Sequence, residues 1–282
     1  HPPREDVARA LDLDSDDVRV VVTDIGGGFG AKGMASEEEI VVAQLARLHG
    51  RPVRWAETRT ENLIGYVHGR AQNQTVTMGG TRDGRITHYR LRVLQDSGAY
   101  PKWGAFLPEF TRQMASGVYD IANVEFSSTS VATNTAPTCA YRGAGRPEAT
   151  AAIERAVDLF AAEIGMDPAD VRRANLPGPD AFPYTNGTGT VYDSGDYQAA
   201  LDRALAAADY PSLRAEQQRR RAAGDLRQLG VGIGTYVEIT GFGGSEYGRV
   251  ELKADGAVRA ITGSTPIGTG HVTTWAMLVA DR

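Results

Sequence analysis

Cysteine is nearly absent: the 282 residues hold a single one, Cys139. One thiol forms no disulfide within the chain. Nor can it alone hold an iron–sulfur cluster or a cysteine-built zinc site, which need several thiolates. Histidine is scarce as well. His1, His49, His68, His88 and His271 show neither an i,i+4 pair nor metal-ligand spacing, so no histidine-built metal site is expected. No apolar run approaches the roughly 20 residues of a membrane-spanning helix. Thirty basic against 35 acidic residues leave a net charge of −5, which argues against a surface dedicated to nucleic acid or an anionic membrane. The chain has no Gly-x-Ser-x-Gly elbow and no Walker lysine motif.

What remains is a composition with 41% hydrophobic and 23% charged residues, the balance of a globular protein with a full core. At roughly 100–200 residues per domain, the length suggests two domains or one large one. The first residues carry neither an initiator Met nor a signal-peptide pattern. The last ones, GTGHVTTWAMLVADR, read as the first turns of an apolar helix, so an internal piece of a longer polypeptide is expected.

Residues 4–12 have helical spacing. Val18 to Ile25 is a β-branched run that reads as a buried strand, and it leads into Gly26-Gly27-Gly28-Phe29-Gly30. Ser36 and Glu39 fit a capping box for a helix reaching Gly50. Val53-Arg54-Trp55 reads as another strand. Asp83-Gly84 marks the turn of a hairpin over 72–97, with Tyr89, Leu91 and Val93 on the inner face. Residues 98–147 read as loop with short strands such as Val124 to Thr133. Glu148 to Gly165 is a helix with an apolar stripe of Ile153, Ala156, Val157, Phe160, Ala161 and Ile164. Asp167-Pro168 opens another helix, ending near Asn175.

The stretch 177–195 holds three prolines and four glycines and reads as a crossover between domains. Helices are expected at about 196–209 and 211–223, then strands from Leu229, including a hairpin at Asp255-Gly256. Hairpins beside separate helices argue for an α+β fold with mixed sheets and packed helices.

Three loops carry candidate chemistry. Gly26 to Gly30 offers backbone N–H groups with no Cβ in the way, suited to an anion or a pterin-type cofactor. The same residues through Ala31 also fit the dinucleotide pattern G-x-G-x-x-A, with Glu57 as a ribose acid, or simply a tight turn. Residues 133–148 form a long loop in which an arginine can offer its fork and its backbone N–H to an oxygen-rich ligand. Alternatively Arg142 or Arg146 pairs with Glu148 or Glu154 and fixes the loop. Gly263 to His271 is a small-residue loop before a helix, suited to phosphate or to an ordinary turn. Cys139 reads more naturally as a packed small side chain than as a nucleophile. Arg219-Arg220-Arg221 reads as a solvated helix face.

Together, in order, these stretches resemble the large subunit of molybdenum hydroxylases, the xanthine dehydrogenase, aldehyde oxidase and carbon monoxide dehydrogenase family. The matching segments are DIGGGFGAK (24–32), Trp55 to Arg59 with His68, DSGAY (96–100), TNTAP and AYRGAGRPE within 133–148, Glu154-Arg155, GMDPADVRRANL (165–176), YDSGDY (192–197) and GTGH (268–271). The resemblance implies a molybdopterin-binding fold, with a first molybdopterin-binding domain over 1–176, a linker over 177–195 and the beginning of a second over 196–282.

It also implies a molybdenum–molybdopterin cofactor, in the cytosine dinucleotide form. The reaction implied is hydroxylation of an electron-poor carbon, with oxygen from water. Iron–sulfur and FAD partners would take the electrons, in a cytoplasmic enzyme of higher oligomeric order. By position, Gly28, Phe29 and Gly30 would lie against the molybdenum ligands, with the Phe29 amide aimed at one of them. Ala140, Tyr141, Arg142 and Gly143 would form a second wall, the Arg142 amide also facing the metal. Gly268, Thr269, Gly270 and His271 would approach the pterin and its phosphates.

The departures narrow the substrate. Thr269 stands where the family has Gln. Gly143 stands where copper-containing carbon monoxide enzymes carry Cys, which argues against a copper–molybdenum site. Gly33 and Ala144 replace the Glu and Phe of xanthine-type enzymes, which argues against a purine pocket. An aldehyde or another aromatic heterocycle remains. The family's base glutamate lies in a Gly-Glu motif beyond residue 282, so the isolated chain is expected to be inactive. The competing readings are a non-catalytic scaffold or interface homologue and a nicotinamide dehydrogenase.

Overall fold

The computed structural model describes residues 2–239 and 245–282. The chain opens with helix α1 (Pro2–Leu11) and continues through α2 (Glu37–His49) and α3 (Arg59–Gly65). The hairpin strands β1 (Gln72–Gly80) and β2 (Ile86–Asp96) come next. Helix α4 (Leu107–Gln113), strand β3 (Asn123–Val131), and helices α5 (Arg146–Ile164) and α6 (Pro168–Asn175) follow. Short strands β4 (Tyr184–Thr185) and β5 (Val191–Tyr192) precede helices α7 (Tyr197–Ala207) and α8 (Tyr210–Ala222). The last elements are β6 (Gly248–Leu252), β7 (Val258–Thr262) and α9 (His271–Ala280). The fold is α+β.

Where local chemistry dictates an element, the expected and observed spans agree. Ser36 and Glu39 form both halves of the capping box on α2, and Gly50 ends it in the left-handed conformation. Asp167 caps α6 by accepting from the Ala169 amide. β1 and β2 pair antiparallel, with Gln72 opposite Gln95 and Met78 opposite Tyr89. β3 then adds to the other side of β2 in parallel, so the sheet is mixed. On β2, Ile86, Tyr89, Leu91 and Val93 are buried. They pack against Ile153, Ala156, Val157 and Ala161 of α5, the stripe read from the sequence. The alanines let helix and sheet approach closely, and each large apolar side chain in such a core contributes about 1.5–3 kcal/mol.

Three expected strands do not form among the described residues. Val18 to Ile25 pairs with no strand among the described residues, and Val20 and Val21 are exposed. Val53 to Trp55 likewise joins no ladder. β-branched composition favours extended backbone but supplies no partner, and a strand exists only as a pair. From Leu229 to Ile239 the chain joins no sheet among the described residues; residues 240–244 fall outside the described ones. Side chains take over the hydrogen bonding there. The Thr235 amide donates to Glu154 Oε2 at 3.0 Å, and Arg172 Nη2 donates to the Ile233 carbonyl at 2.8 Å. Helices α3 and α4, conversely, were not anticipated. Thr58 and Glu61 form a second capping box that defines α3.

The chain divides into two compact units. One comprises residues 1–66 with 239–282, the other 67–238. The 177–195 stretch lies wholly inside the second unit. There it forms the β4–β5 pair, stapled by Asn186 and by the Tyr192 hydroxyl, which donates to the Gly117 carbonyl at 2.6 Å.

A buried ion pair organises the second unit. Arg172 is fully buried and donates through Nε and Nη2 to Glu154 Oε2, at 3.1 and 2.8 Å, and through Nη1 to Asp158 at 2.9 Å. Glu154 also accepts from the hydroxyls of Tyr119 and Thr235. With both carboxylate oxygens satisfied, the desolvation cost of the charges is offset.

Candidate functional site

In the first unit the glycine loop takes backbone that side chains resist. Gly27 has φ +108°, Phe29 +52° and Gly30 +100°. A Cβ on Gly27 would sit 2.5 Å from the Phe29 ring, so only glycine lets that ring fold back. The loop closes through the Ala31 amide on the Gly28 carbonyl at 3.1 Å. α2 begins six residues past the loop, at Glu37, and Glu57 accepts from Asn62 Nδ2 at 2.8 Å instead of standing free for a ribose. The strand–loop–helix unit of a dinucleotide site is therefore not formed.

The third loop lies against the first. A Cβ on Gly268 would come within 3.1 Å of Gly27 Cα and 3.3 Å of Gly27 N. The Ile267 side chain reaches the Cβ position of Gly28 at 3.7 Å. Two segments some 240 residues apart in sequence thus meet backbone to backbone. Gly270, at φ +73°, is the N-cap of α9 and offers no side-chain cap, so the first amides of that helix are available to an anion. His271 opens α9. Its Nδ1 is buried and has no hydrogen-bond partner among the described residues. Thr269 is exposed. A cleft of about 640 Å³ borders both loops, with Ile25, Lys32, Trp55, Glu57 and Ile267 in its wall, a size within the range of small-ligand sites.

Ala140, Tyr141, Arg142 and Gly143 belong to the second unit. Their loop is fixed at both ends. Cys139 donates its amide to the His68 carbonyl at 2.8 Å. Burial pushes its thiol up, which disfavours the thiolate and suits a packed small side chain. Upstream, Asp96 accepts from the Gly98 amide at 2.8 Å and from the hydroxyls of Thr133 and Thr135 at 2.7 and 3.2 Å. Those bonds, led by Thr133, hold its carboxyl below the usual range. Gly143 at φ +98° faces the Pro147 ring, and Gly145 at +83° caps α5.

The charged pairings differ from those expected. Arg146 pairs with Glu238, Glu154 with Arg172, and Glu148 with Arg70 at 3.4 Å. Arg142 is exposed. Arg70 is the residue that sequence reading passed over, although His68 two places earlier was singled out. Its role depends on contacts about 70 residues away, which no local pattern encodes.

Family models place this geometry. One described as a molybdopterin cofactor-binding domain matches residues 1–176, and another of the same description matches 203–282. The chain belongs to the molybdopterin cofactor-binding domain family. It is 36% identical, over its whole length, to the carbon monoxide dehydrogenase large chain of Hydrogenophaga pseudoflava. It is 34% identical, again over its whole length, to the gamma subunit of the 6-hydroxypseudooxynicotine dehydrogenase complex of Paenarthrobacter nicotinovorans. The chain spans 37% and 36% of those relatives. Among solved structures, quinoline 2-oxidoreductase from Pseudomonas putida 86 superposes with a TM-score of 0.91 at 32% identity, covering 99% of this chain and 37% of that one. The fold is thus that of a molybdopterin-binding domain.

The residues present fit such a group. A flat, oxygen-rich, anionic ligand needs backbone amides without side chains in the way, and the Gly27–Gly30 and Gly268–Gly270 segments supply them. The buried His271 Nδ1, without a hydrogen-bond partner among the described residues, adds a polar atom that a ligand could satisfy.

Proposed function

We propose that this chain holds part of the molybdenum–molybdopterin site of a hydroxylase acting on an aldehyde or an aromatic heterocycle. What supports the reading is the close packing of the Gly27 and Gly268 backbones, which brings two glycine segments from opposite ends of the chain to one place. When bound, the cofactor supplies activation of water and a sink for two electrons.

The protein's own residues do the rest. Gly28, Phe29 and Gly30 approach the metal's ligands through backbone, with the Phe29 amide donating. Ala140, Tyr141, Arg142 and Gly143 contribute a second set, with the Arg142 amide donating. Gly268, Thr269, Gly270 and His271 hold the pterin and its phosphates, in the cytosine dinucleotide form. The first molybdopterin-binding domain covers 1–176, 177–195 is the crossover, and 196–282 begins the second.

Electrons pass to iron–sulfur and FAD centres on partner subunits or domains, because the lone Cys139 provides no carrier. The working assembly is a higher oligomer in the cytoplasm. No helix among the described residues is long and apolar enough to cross a membrane. Gly143 follows Arg142 directly, and buried Cys139 lies on the other side of Tyr141. That order argues against carbon monoxide as the substrate despite the likeness to a carbon monoxide dehydrogenase.

The test is metal and pterin analysis of the protein from a host that makes the cofactor. Equimolar molybdenum and oxidised-pterin fluorescence are expected. Absence of both overturns the reading in favour of a scaffold role.

A further inference from the structure

We infer that Arg70 and Glu148 form a positioning pair that sets the direction of the backbone amides in the Tyr141–Gly143 loop. The inference deepens the proposed function, because it concerns amides assigned there to the cofactor. Arg70 Nη1 donates to the Tyr141 carbonyl at 2.8 Å, and Arg70 Nη2 donates to the Arg142 carbonyl. One guanidinium therefore draws two consecutive carbonyls to one side.

A trans peptide points its N–H opposite to its C=O. The Arg142 N–H shares a peptide with the Tyr141 carbonyl, and the Gly143 N–H shares one with the Arg142 carbonyl. Both N–H groups are thereby turned away from Arg70, side by side. Adjacent amides aimed one way make the concave donor arrangement that receives anions. Gly143 at φ +98° permits the turn that follows, and the Ala144 amide closes it on the Tyr141 carbonyl at 2.8 Å.

Arg70 is itself held in place from several directions. Its Cζ lies 5.1 Å from the centre of the Tyr141 ring, a cation–π contact. Its Nη1 is 3.4 Å from Glu148 Oε1, and the Glu148 side chain is only 5% exposed. The other carboxylate oxygen, Oε2, is buried without a hydrogen-bond partner among the described residues. Glu148 therefore commits its charge to Arg70. Arg70 adopts φ +72°, a conformation a non-glycine residue keeps only when its surroundings impose it. At Gly69 a Cβ would sit 2.8 Å from Tyr141 Cβ, so the segment bearing Arg70, just before β1, presses directly on the loop. Bonding of both carbonyls to a cation also polarises their peptides, which strengthens the N–H groups as donors.

The experiment compares wild type with Arg70→Met, Arg70→Lys and the double variant Arg70→Met with Glu148→Gln. The double variant matters because Arg70→Met alone strands a buried carboxylate. The first readout needs no cofactor: the rate of tryptic cleavage after Arg142, followed by mass spectrometry, beside the thermal midpoint. Cleavage in the double variant is expected to rise about tenfold or more at an unchanged midpoint, since proteolysis follows local opening. Arg70→Lys is expected to be intermediate, because a point charge cannot grip both carbonyls.

The second readout is the Mo(V) electron paramagnetic resonance signal of cofactor-loaded protein, whose parameters shift when donors to the metal's ligands turn. Unchanged cleavage in the double variant overturns the positioning role. Faster cleavage with an unaltered signal overturns its bearing on the cofactor. If wild type binds no molybdenum, the proposed function fails, while the cleavage result still decides whether the pair orders the loop.

Discussion

Gly268→Ala tests the loop-to-loop contact of the first unit. Its φ of +91° lies where L side chains are strained, and the added methyl would stand 3.1 Å from Gly27 Cα and 3.3 Å from Gly27 N. The conformational part is worth about 1–2 kcal/mol. Because the opposing atoms are backbone, the crowding cannot be relieved by a rotamer change, and overpacking adds about 1–3 kcal/mol. A total of roughly 2–5 kcal/mol is expected if both act.

Gly256→Ala is the matched control. Its φ is +81°, in the β6–β7 turn, and a Cβ there meets nothing within 4 Å. It carries the strain alone, about 1–2 kcal/mol. The assay is molybdenum and pterin per chain, read beside the chemical-denaturation midpoint of each variant. Gly268→Ala is expected to lose most of its cofactor, whereas Gly256→Ala keeps it with a slightly lowered midpoint. Equal cofactor content in the two variants would refute the claim that this contact builds a cofactor wall.

Further outcomes follow from the second unit. Glu154→Ala leaves the fully buried Arg172 without its main counter-charge and is expected to cost about 3–5 kcal/mol, measured by urea denaturation; a loss below 1 kcal/mol would sink the reading of this pair as the unit's organiser. Burial pushes Tyr184 and Tyr210 up to about 12 from an ordinary 10.0, and it raises Tyr192 as well. Their neutral forms are favoured in the fold, so the stability they contribute is complete below pH 10 and is lost as pH rises through 12. Tyrosinate absorbance appearing in full near pH 10 while the protein stays folded would contradict this. Cys139, as the single thiol and a buried one with its pKa raised, should resist a disulfide reagent at neutral pH and react at once in denaturant. Rapid labelling of native protein would place it outside the core.

Much of the secondary structure was written in short-range chemistry. Ser36 and Glu39 bond to each other's amides three residues apart, Asp83-Gly84 turns the β1–β2 hairpin, and the α5 stripe repeats within one helix. Such interactions span about four residues, so the local sequence states them outright. The resemblance of the GGGFG, AYRGAGRPE and GTGH segments named the candidate site, and the family models agree on the cofactor class.

Tertiary structure decided what depends on distant partners. Val18 to Ile25 has the composition of a strand but finds no pair among the described residues, whereas β3 adds in parallel to β2 across an intervening helix. Arg142 and Arg146 were the expected loop anchors, yet Arg70 grips the loop from 71 residues away and Arg146 turns to Glu238. Propensity and capping act along the chain, where separation is fixed by covalent geometry. Pairing across the fold depends on which complementary group loop closure and packing bring within reach, and that competition among all possible partners is settled only once the core forms.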